Sequence, residues 1–147
     1  MRDGKTSVAL KRLNLAKRYL ENAREILKKA GVDRRREAYV DIKYVSVASG
    51  TAYLSALEAI KALLILHLNL DEDFIRRKVK DISVYKRYIG ELKIRKDRDY
   101  VQGLLKDAYD ILHLGGYYRE LQNKKAIDAG FEAVEKIIKF VESYLYA

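Results

Sequence analysis

Residues 45–66, VSVASGTAYLSALEAIKALLIL, decide the fold. The stretch is apolar on most faces, and its middle is made of small residues: Ser46, Ala48, Ser49, Gly50, Thr51, Ala52, Ser55, Ala56, Ala59 and Ala62. Ala48, Ala52 and Ala56 recur at every fourth position and form a low ridge that lets another helix approach closely. A helix that is apolar nearly all round belongs inside a bundle rather than on its surface. The pattern predicts this central helix from Arg34 to about Leu68, with Asp33 as its N-cap and Ser49-Gly50 as the place for a kink. At 1.5 Å per residue it would be roughly 50 Å long.

Upstream, Ala9, Leu13, Ala16, Leu20, Ala23, Leu27 and Ala30 alternate spacings of four and three, a heptad seam. They predict a helix over about Ser7–Ala30, capped by Thr6 or Ser7 and stopped by Gly31. Downstream, Asn69 followed by Glu72 reads as a capping box opening a third helix that carries Phe74, Ile75, Val79, Ile82, Tyr85, Ile89 and Leu92. Asp97 or Asp99 opens a fourth helix, ended by Gly115-Gly116. Asn123 caps the last, whose apolar stripe runs from Ile127 through Gly130, Phe131, Val134, Ile137, Ile138 and Val141 to Leu145. No segment alternates convincingly with period two, so no strand is expected. The expected architecture is all-α: a single domain over 1–147, an antiparallel bundle of about five helices with a long central second helix.

The rest of the composition agrees. The chain has 147 residues, 49% of them apolar and 35% charged, enough to build one core and too apolar for disorder. It contains no Pro, which suits helices. It contains no Cys, which excludes disulfides, thiolate metal sites and cysteine nucleophiles. The longest apolar stretch, Ala59–Leu68, carries Lys61 and His67 and is well short of the ~20 residues of a membrane span. No signal peptide is read, and a cytoplasmic protein without a membrane partner is expected. Abundant Lys, Arg and Glu with few Gln and Thr resembles the usage of heat-adapted proteins.

The net charge is +9. Residues 1–36 contribute +8 and residues 71–98 contribute +4, so the excess sits on the first and third helices and the Arg34-Arg35-Arg36 turn. With Arg76, Arg77 and Lys78 these residues are candidates for binding RNA or an acidic protein. The same charges also suit the solvated surface of a thermophile.

Two constellations can carry chemistry. His113 lies in the run Asp110-Ile-Leu-His-Leu-Gly-Gly-Tyr117-Tyr118-Arg119. There an imidazole, a carboxylate, two phenols and a guanidinium converge near one helix end. Asp110 and His113 are spaced to share a helix face. His113 can move a proton and Arg119 can hold a phosphate. Alternatively Asp110 and His113 are a surface pair and the tyrosines pack the bundle end. Asp41, Tyr44, Tyr53, Glu58 and Lys61 interrupt the central helix and form either a ligand site or a register-fixing polar network. His67 reads as a C-terminal helix residue suited to the dipole. No Walker loop, dinucleotide fingerprint, nucleophile elbow or zinc-protease motif occurs, so no cofactor and no metal are expected.

Asp41-Ile-Lys-Tyr44, Gly50 to Ala59 and Leu112 to Tyr118 resemble a small bacterial family known only as a domain of unknown function, a likeness running from about Leu13 to Val141. More loosely, an Ala-rich first helix followed by a long second helix ending Ala59-Ile-Lys-Ala-Leu-Leu64 resembles HEPN domains. That resemblance implies a helical bundle, often homodimeric. Many such proteins are ribonucleases of toxin–antitoxin, anti-phage or RNA-processing systems, and others are nucleotidyltransferase partners. The HEPN nuclease signature, an Arg four to six residues before a His, is missing before both His67 and His113. Arg119 follows His113 instead of preceding it. The expectation is therefore a HEPN-like bundle that binds rather than catalyses, as a homodimer or with an RNA or acidic partner. The Ala/Leu seam of the first helix or the small ridge of the second would serve a dimer. The alternatives are an RNA-acting enzyme or toxin component using His113, and a small-ligand binder using Tyr44, Tyr53 and Glu58.

Overall fold

The computed structural model describes residues 4–146. Helix α1 (Gly4–Lys28) and helix α2 (Ile42–Leu68) lie against each other along most of their length. Then come two short helices, α3 (Glu72–Lys78) and α4 (Ile82–Ile89), and helix α5 (Arg95–Ala108). Helix α5 runs directly into a π-helix (Tyr109–Tyr118), and helix α6 (Lys124–Leu145) closes the bundle. Helix α2 packs on α1, α6 and the π-helix and so forms the centre.

The small residues explain the closeness of α1 and α2. Ala9, Ala16, Ala23, Ala48, Ala52 and Ala56 are all fully buried between them. Ser55 Oγ donates to the backbone oxygen of Ala16 at 2.6 Å, a bond possible only when the helices nearly touch. The seam and the ridge expected to serve a dimer are therefore consumed inside one chain. By length and composition α2 is also apolar enough to cross a membrane, which the shorter Ala59–Leu68 stretch had not suggested, but most of it is buried in the bundle.

Several boundaries differ from the sequence reading. Asp33 does cap backbone N–H groups, but those of a turn: its Oδ1 accepts from Arg35 and Arg36. A two-residue hairpin, β1 (Val32–Asp33) and β2 (Ala38–Tyr39), therefore occupies what was expected to be helix. Helix α2 starts later, capped by Asp41, whose carboxylate accepts from the Lys43 N–H. It continues through Ser49-Gly50 as one helix. Asn69 is the left-handed C-cap of α2, and Asp71 caps α3 by accepting from the Phe74 N–H. The expected third helix is divided, because Asp81 captures the Val84 N–H and starts α4 afresh. Helix α5 begins at Arg95 without a side-chain cap. Asn123 caps α6 as expected.

Gly115-Gly116 does not stop the chain. The helix continues through both as a π-helix, and the Arg119 N–H reaches back to Leu114 as well as Gly115. A ten-residue π-helix is long for a conformation that is usually a single turn and that often marks functional sites. Tight glycine contacts hold it. A Cβ on Gly116 would stand 2.1 Å from Ser49 Oγ, and one on Gly130 would stand 2.7 Å from Leu112 Cδ2. The π-helix is thus clamped between α2 and α6, with Gly116 seated on the Ser49 side chain and Leu112 of the π-helix seated on Gly130.

Candidate functional site

The wider turn of a π-helix brings residues four to five apart into line. Tyr109, His113, Tyr117 and Tyr118 consequently gather on one side, facing α2. The His113 ring stacks on Tyr53 of α2 at 4.7 Å and 25°. It lies 5.2 Å from Tyr109, 6.2 Å from a nearly parallel Tyr117 and 5.1 Å from an edge-on Tyr118. Tyr117 in turn covers Gly50, where a Cβ would meet its ring at 3.0 Å. Ser46 Oγ donates to the Tyr117 carbonyl at 3.2 Å and ties this end of the π-helix to α2.

These rings line a cleft of about 660 Å³ between α2, the π-helix and the Lys80–Tyr85 segment. Val47, Leu54 and Leu57 make its apolar wall, Lys80 and Asp81 stand at it, and Tyr85 reaches in from α4. A mainly apolar, aromatic cleft of this size with a few polar groups is the usual form of a small-molecule site.

Thr51 and Asp81 at the cleft are hydrogen-bonded within their own helix or cap, whereas three aromatic residues there, Tyr53, Tyr85 and His113, are not. Tyr53 is 7% exposed and Tyr85 2% exposed, yet neither hydroxyl has a hydrogen-bond partner among the described residues. Burial raises the pKa of both phenols well above the ordinary tyrosine value, with Tyr109 adding to the effect at Tyr53 and Glu58 at Tyr85. Both phenols are neutral and able to donate. Burial lowers the His113 pKa, so its imidazole is neutral at pH 7, and neither ring nitrogen has a hydrogen-bond partner among the described residues. Elsewhere the opposite holds. A groove of about 510 Å³ beside α1 and α6 is lined by Arg24, Tyr39, Asp128 and Glu135, among others. There Arg24 is bonded to Glu135, and the Tyr39 hydroxyl donates to Asp128.

The structure divides both sequence-derived constellations and joins their halves. Of the first, His113, Tyr117 and Tyr118 come together, but Asp110 is exposed and accepts from Lys106 Nζ at 2.7 Å. Arg119 caps the π-helix with its backbone and is exposed, with no ion pair among the described residues. The two were expected beside His113 because α-helical spacing put Asp110 on its face; π-helical winding moves them off it. Of the second, only Tyr53 lines the cleft. Asp41 caps α2, Tyr44 lies under Lys43 Nζ, and Glu58 and Lys61 belong to an ion-pair network. In that network Glu58 accepts from Arg12 and Lys61, both at 3.0 Å, and Arg12 also reaches Glu72. Burial lowers the Arg12 pKa, but Glu58 and Glu72 outweigh it and raise the value overall. These charges are answered within the protein, joining α1, α2 and α3 through one ion-pair network.

Tyr85, Tyr109, Lys80 and Asp81 were not singled out from the sequence. The break between α3 and α4 is what turns Tyr85 toward α2, and a capping Asp81 was the available signal. The basic candidates do not form one surface. Arg34, Arg35 and Arg36 occupy the hairpin turn before α2, whereas Arg76, Arg77 and Lys78 follow it in α3. Arg76 and Arg77 both pair with Asp73, whose pKa their bonds lower. His67 accepts from the Lys93 N–H and packs edge-on against Tyr144, a structural role. Among the described residues no group of three or more His, Asp or Glu is placed to hold a metal.

Fold and site define a class: an all-α bundle whose long central helix and π-helix frame an aromatic cleft. The chain belongs to the family described as Domain of unknown function (DUF5618), whose model matches residues 11–143. Its fold is similar to that of a solved protein of unknown function from Dyadobacter fermentans, with 29% identity and a TM-score of 0.71 over 92% of this chain and 97% of that one. A search of curated proteins found no match.

Proposed function

We propose that the protein acts by binding, and that the cleft between α2, α4 and the π-helix holds a small ligand. One observation carries this reading: a mainly apolar cleft of about 660 Å³ is lined by Tyr53, Tyr85, Tyr109, His113, Tyr117 and Tyr118, a concentration of aromatic rings with polar tips found at no other groove among the described residues. A ligand in such a cleft is held by burial of its apolar surface and oriented by the few polar groups at the wall.

Catalysis by His113 has less support. General acid–base work needs a base held by a partner and a second group at the reacting atom. His113 is surrounded by phenol rings, while Asp110 and Arg119 lie elsewhere. The HEPN-like reading rests on helix order alone and, without the preceding Arg, carries no nuclease. An RNA or acidic-protein partner is supported by the charge of +9 but weakened by the pairing of Arg76 and Arg77 with Asp73. Any homodimer uses a face other than the Ala-rich seams, which are buried within the chain.

A thermal-shift screen of small fragments, charged and uncharged, tests the proposal, with Val47→Trp as a variant that fills the cleft from its exposed rim. Fragments are expected to stabilise the wild type and not Val47→Trp. The proposal is overturned if no fragment stabilises the wild type, or if the protein cuts single-stranded RNA and His113→Ala abolishes cutting.

A further inference from the structure

We infer that the cleft is built for a singly charged, apolar carboxylate, its head at Lys80 and its hydrocarbon body on Val47, Leu54 and Leu57. The inference rests on the ligand-binding reading above and adds the chemical class of the ligand.

The negative head follows from the charges at the wall. Lys80 and Asp81 are the charged residues of the cleft, and they are not equivalent. Asp81 is engaged: Ser83 Oγ and the Val84 N–H donate to its carboxylate and hold its pKa below the ordinary value. Its charge also sits at the positive end of α4. Behind Tyr85, Glu58 is answered by Arg12 and Lys61. The phenols of Tyr53 and Tyr85 are neutral at pH 7, because burial raises their pKa values. Lys80 is exposed and has no ion-pair partner among the described residues, so one positive charge is left open at the wall.

The rings favour the same sign. Tyr53 is stacked on His113, Tyr117 lies beside His113 at 7°, and Tyr118 is edge-on to both His113 and Tyr117. These rings cover one another's faces, so a cation finds no open face for a cation–π contact. Their edges and polar tips are what they leave to the cleft. Ring edges carry partial positive charge and a neutral phenol donates a hydrogen bond, and both suit an anion.

A single charge follows from a single lysine. A phosphate monoester carries nearly two negative charges, and it is held by an Arg fork or by the N–H groups of a helix start. No Arg lines the cleft among the described residues, and Asp81 already caps α4. A second negative charge would face Asp81 with nothing to balance it.

The hydrocarbon body follows from the aliphatic wall. Val47 and Leu54 are 49% and 47% exposed, and they stand two helical turns apart on one face of α2. Leu57 continues that face into the cleft. With the ring faces taken, these side chains are where a ligand buries its apolar surface, so a flexible chain fits and a stacking ring is not needed.

The experiment uses the full chain and probes that differ from octanoate in one property each: octanamide, octylammonium, octyl phosphate and butanoate, all below the concentrations at which they form micelles. Dissociation constants at pH 7 are read by protein-observed NMR on the wild type, Lys80→Met and Val47→Trp. Lys80→Met keeps a long apolar stem at an exposed position and removes the charge. Octanoate should bind at least about threefold more tightly than octanamide, octylammonium and octyl phosphate. It should bind at least about tenfold more tightly than butanoate, since each buried methylene is worth roughly fourfold. Lys80→Met should weaken octanoate about fivefold, the effect of one ion pair at the mouth of a cleft, and leave octanamide unchanged. Val47→Trp should remove octanoate binding. Octanamide or octylammonium binding as tightly as octanoate overturns the negative head and leaves the binding reading standing. Tighter binding of octyl phosphate overturns the carboxylate, and butanoate binding as tightly as octanoate overturns the hydrocarbon body. Unchanged octanoate affinity in Lys80→Met overturns the role of Lys80. Octanoate binding that survives Val47→Trp lies outside the cleft and overturns the inference. No binding of any probe or fragment overturns both the ligand class and the binding reading.

Discussion

Tyr53 and Glu58 stand little more than a turn apart on α2, both are less than a tenth exposed, and their surroundings differ completely. Around Glu58 every charge is answered: Arg12 and Lys61 hold its two oxygens, and Arg12 goes on to Glu72. Around Tyr53 the polar tips are open: its hydroxyl, that of Tyr85 and both nitrogens of His113 have no hydrogen-bond partner among the described residues. A finished network locks helices in register. An unfinished one at the wall of a cleft is what the proposed ligand would meet. The comparison teaches that polarity in a bundle interior marks a site only when the partners are missing.

The contrast can be broken from either side, and the expected effects fall in size as follows. Glu58→Ala strands the partly buried Arg12 and Lys61 and should cost about 3 kcal/mol in urea unfolding, toward the lower end for a broken buried pair because Arg12 keeps Glu72. A loss below about 1 kcal/mol would put the network on a par with surface pairs. Gly116→Ala drives a methyl into Ser49 and should cost about 2–3 kcal/mol. Ser49→Gly in the same chain removes the colliding Cβ and should restore most of it, which a π-helix clamped elsewhere would not show.

Smaller effects sharpen the comparison among the tyrosines. Tyr39→Phe deletes a hydroxyl bonded to Asp128 and should cost about 1 kcal/mol. Tyr53→Phe and Tyr85→Phe delete hydroxyls with no partner among the described residues and should change stability by less than about 0.5 kcal/mol. Equal losses at all three positions would mean the cleft phenols are satisfied within the protein after all.

The smallest effect is a pH dependence. Burial lowers the folded-state pKa of His113 below its ordinary 6.5, so as the pH falls past that value the unfolded chain takes up a proton that the folded chain resists. The contribution is complete above about pH 6.5 and is lost as the pH falls toward the lowered value. Thermal unfolding between pH 7.5 and 5 should therefore show an acid-side decline that His113→Phe reduces. An identical decline in the variant removes His113 as its source.

The sequence made much of this legible. Ala48-Ala52-Ala56 against the Ala9-to-Leu27 seam specified a close helix pair, and that pair is the heart of the bundle. Its ends were less legible, because Asp33 and Asp41 are equally good caps and the hairpin between them is held by distant partners, with Tyr39 bonded to Gln122 and Glu37 to Lys124. His113, Tyr117, Tyr118 and Tyr53 were each visible as candidates, but their meeting was not. It depends on π-helical winding, which leaves no periodic signature in ten residues containing Gly115-Gly116. Tyr85 was hidden for a related reason: the apolar spacing from Phe74 to Leu92 reads as one helix, and the break that swings Tyr85 toward α2 is made by a single cap at Asp81.

The most direct test of the central claim is an NMR titration with octanoate of protein carrying ring-labelled tyrosine and histidine. The molecule contains its own controls, since the hydroxyls of Tyr39 and Tyr144 are bonded to Asp128 and Asp97, and His67 is engaged by the Lys93 N–H. Resonances of Tyr53, Tyr85 and His113 should shift together and saturate with one dissociation constant, while those of Tyr39, Tyr144 and His67 stay in place. Shifts at Tyr39, Tyr144 or His67, or no saturable shift at His113, would contradict the assignment of the cleft as the binding site.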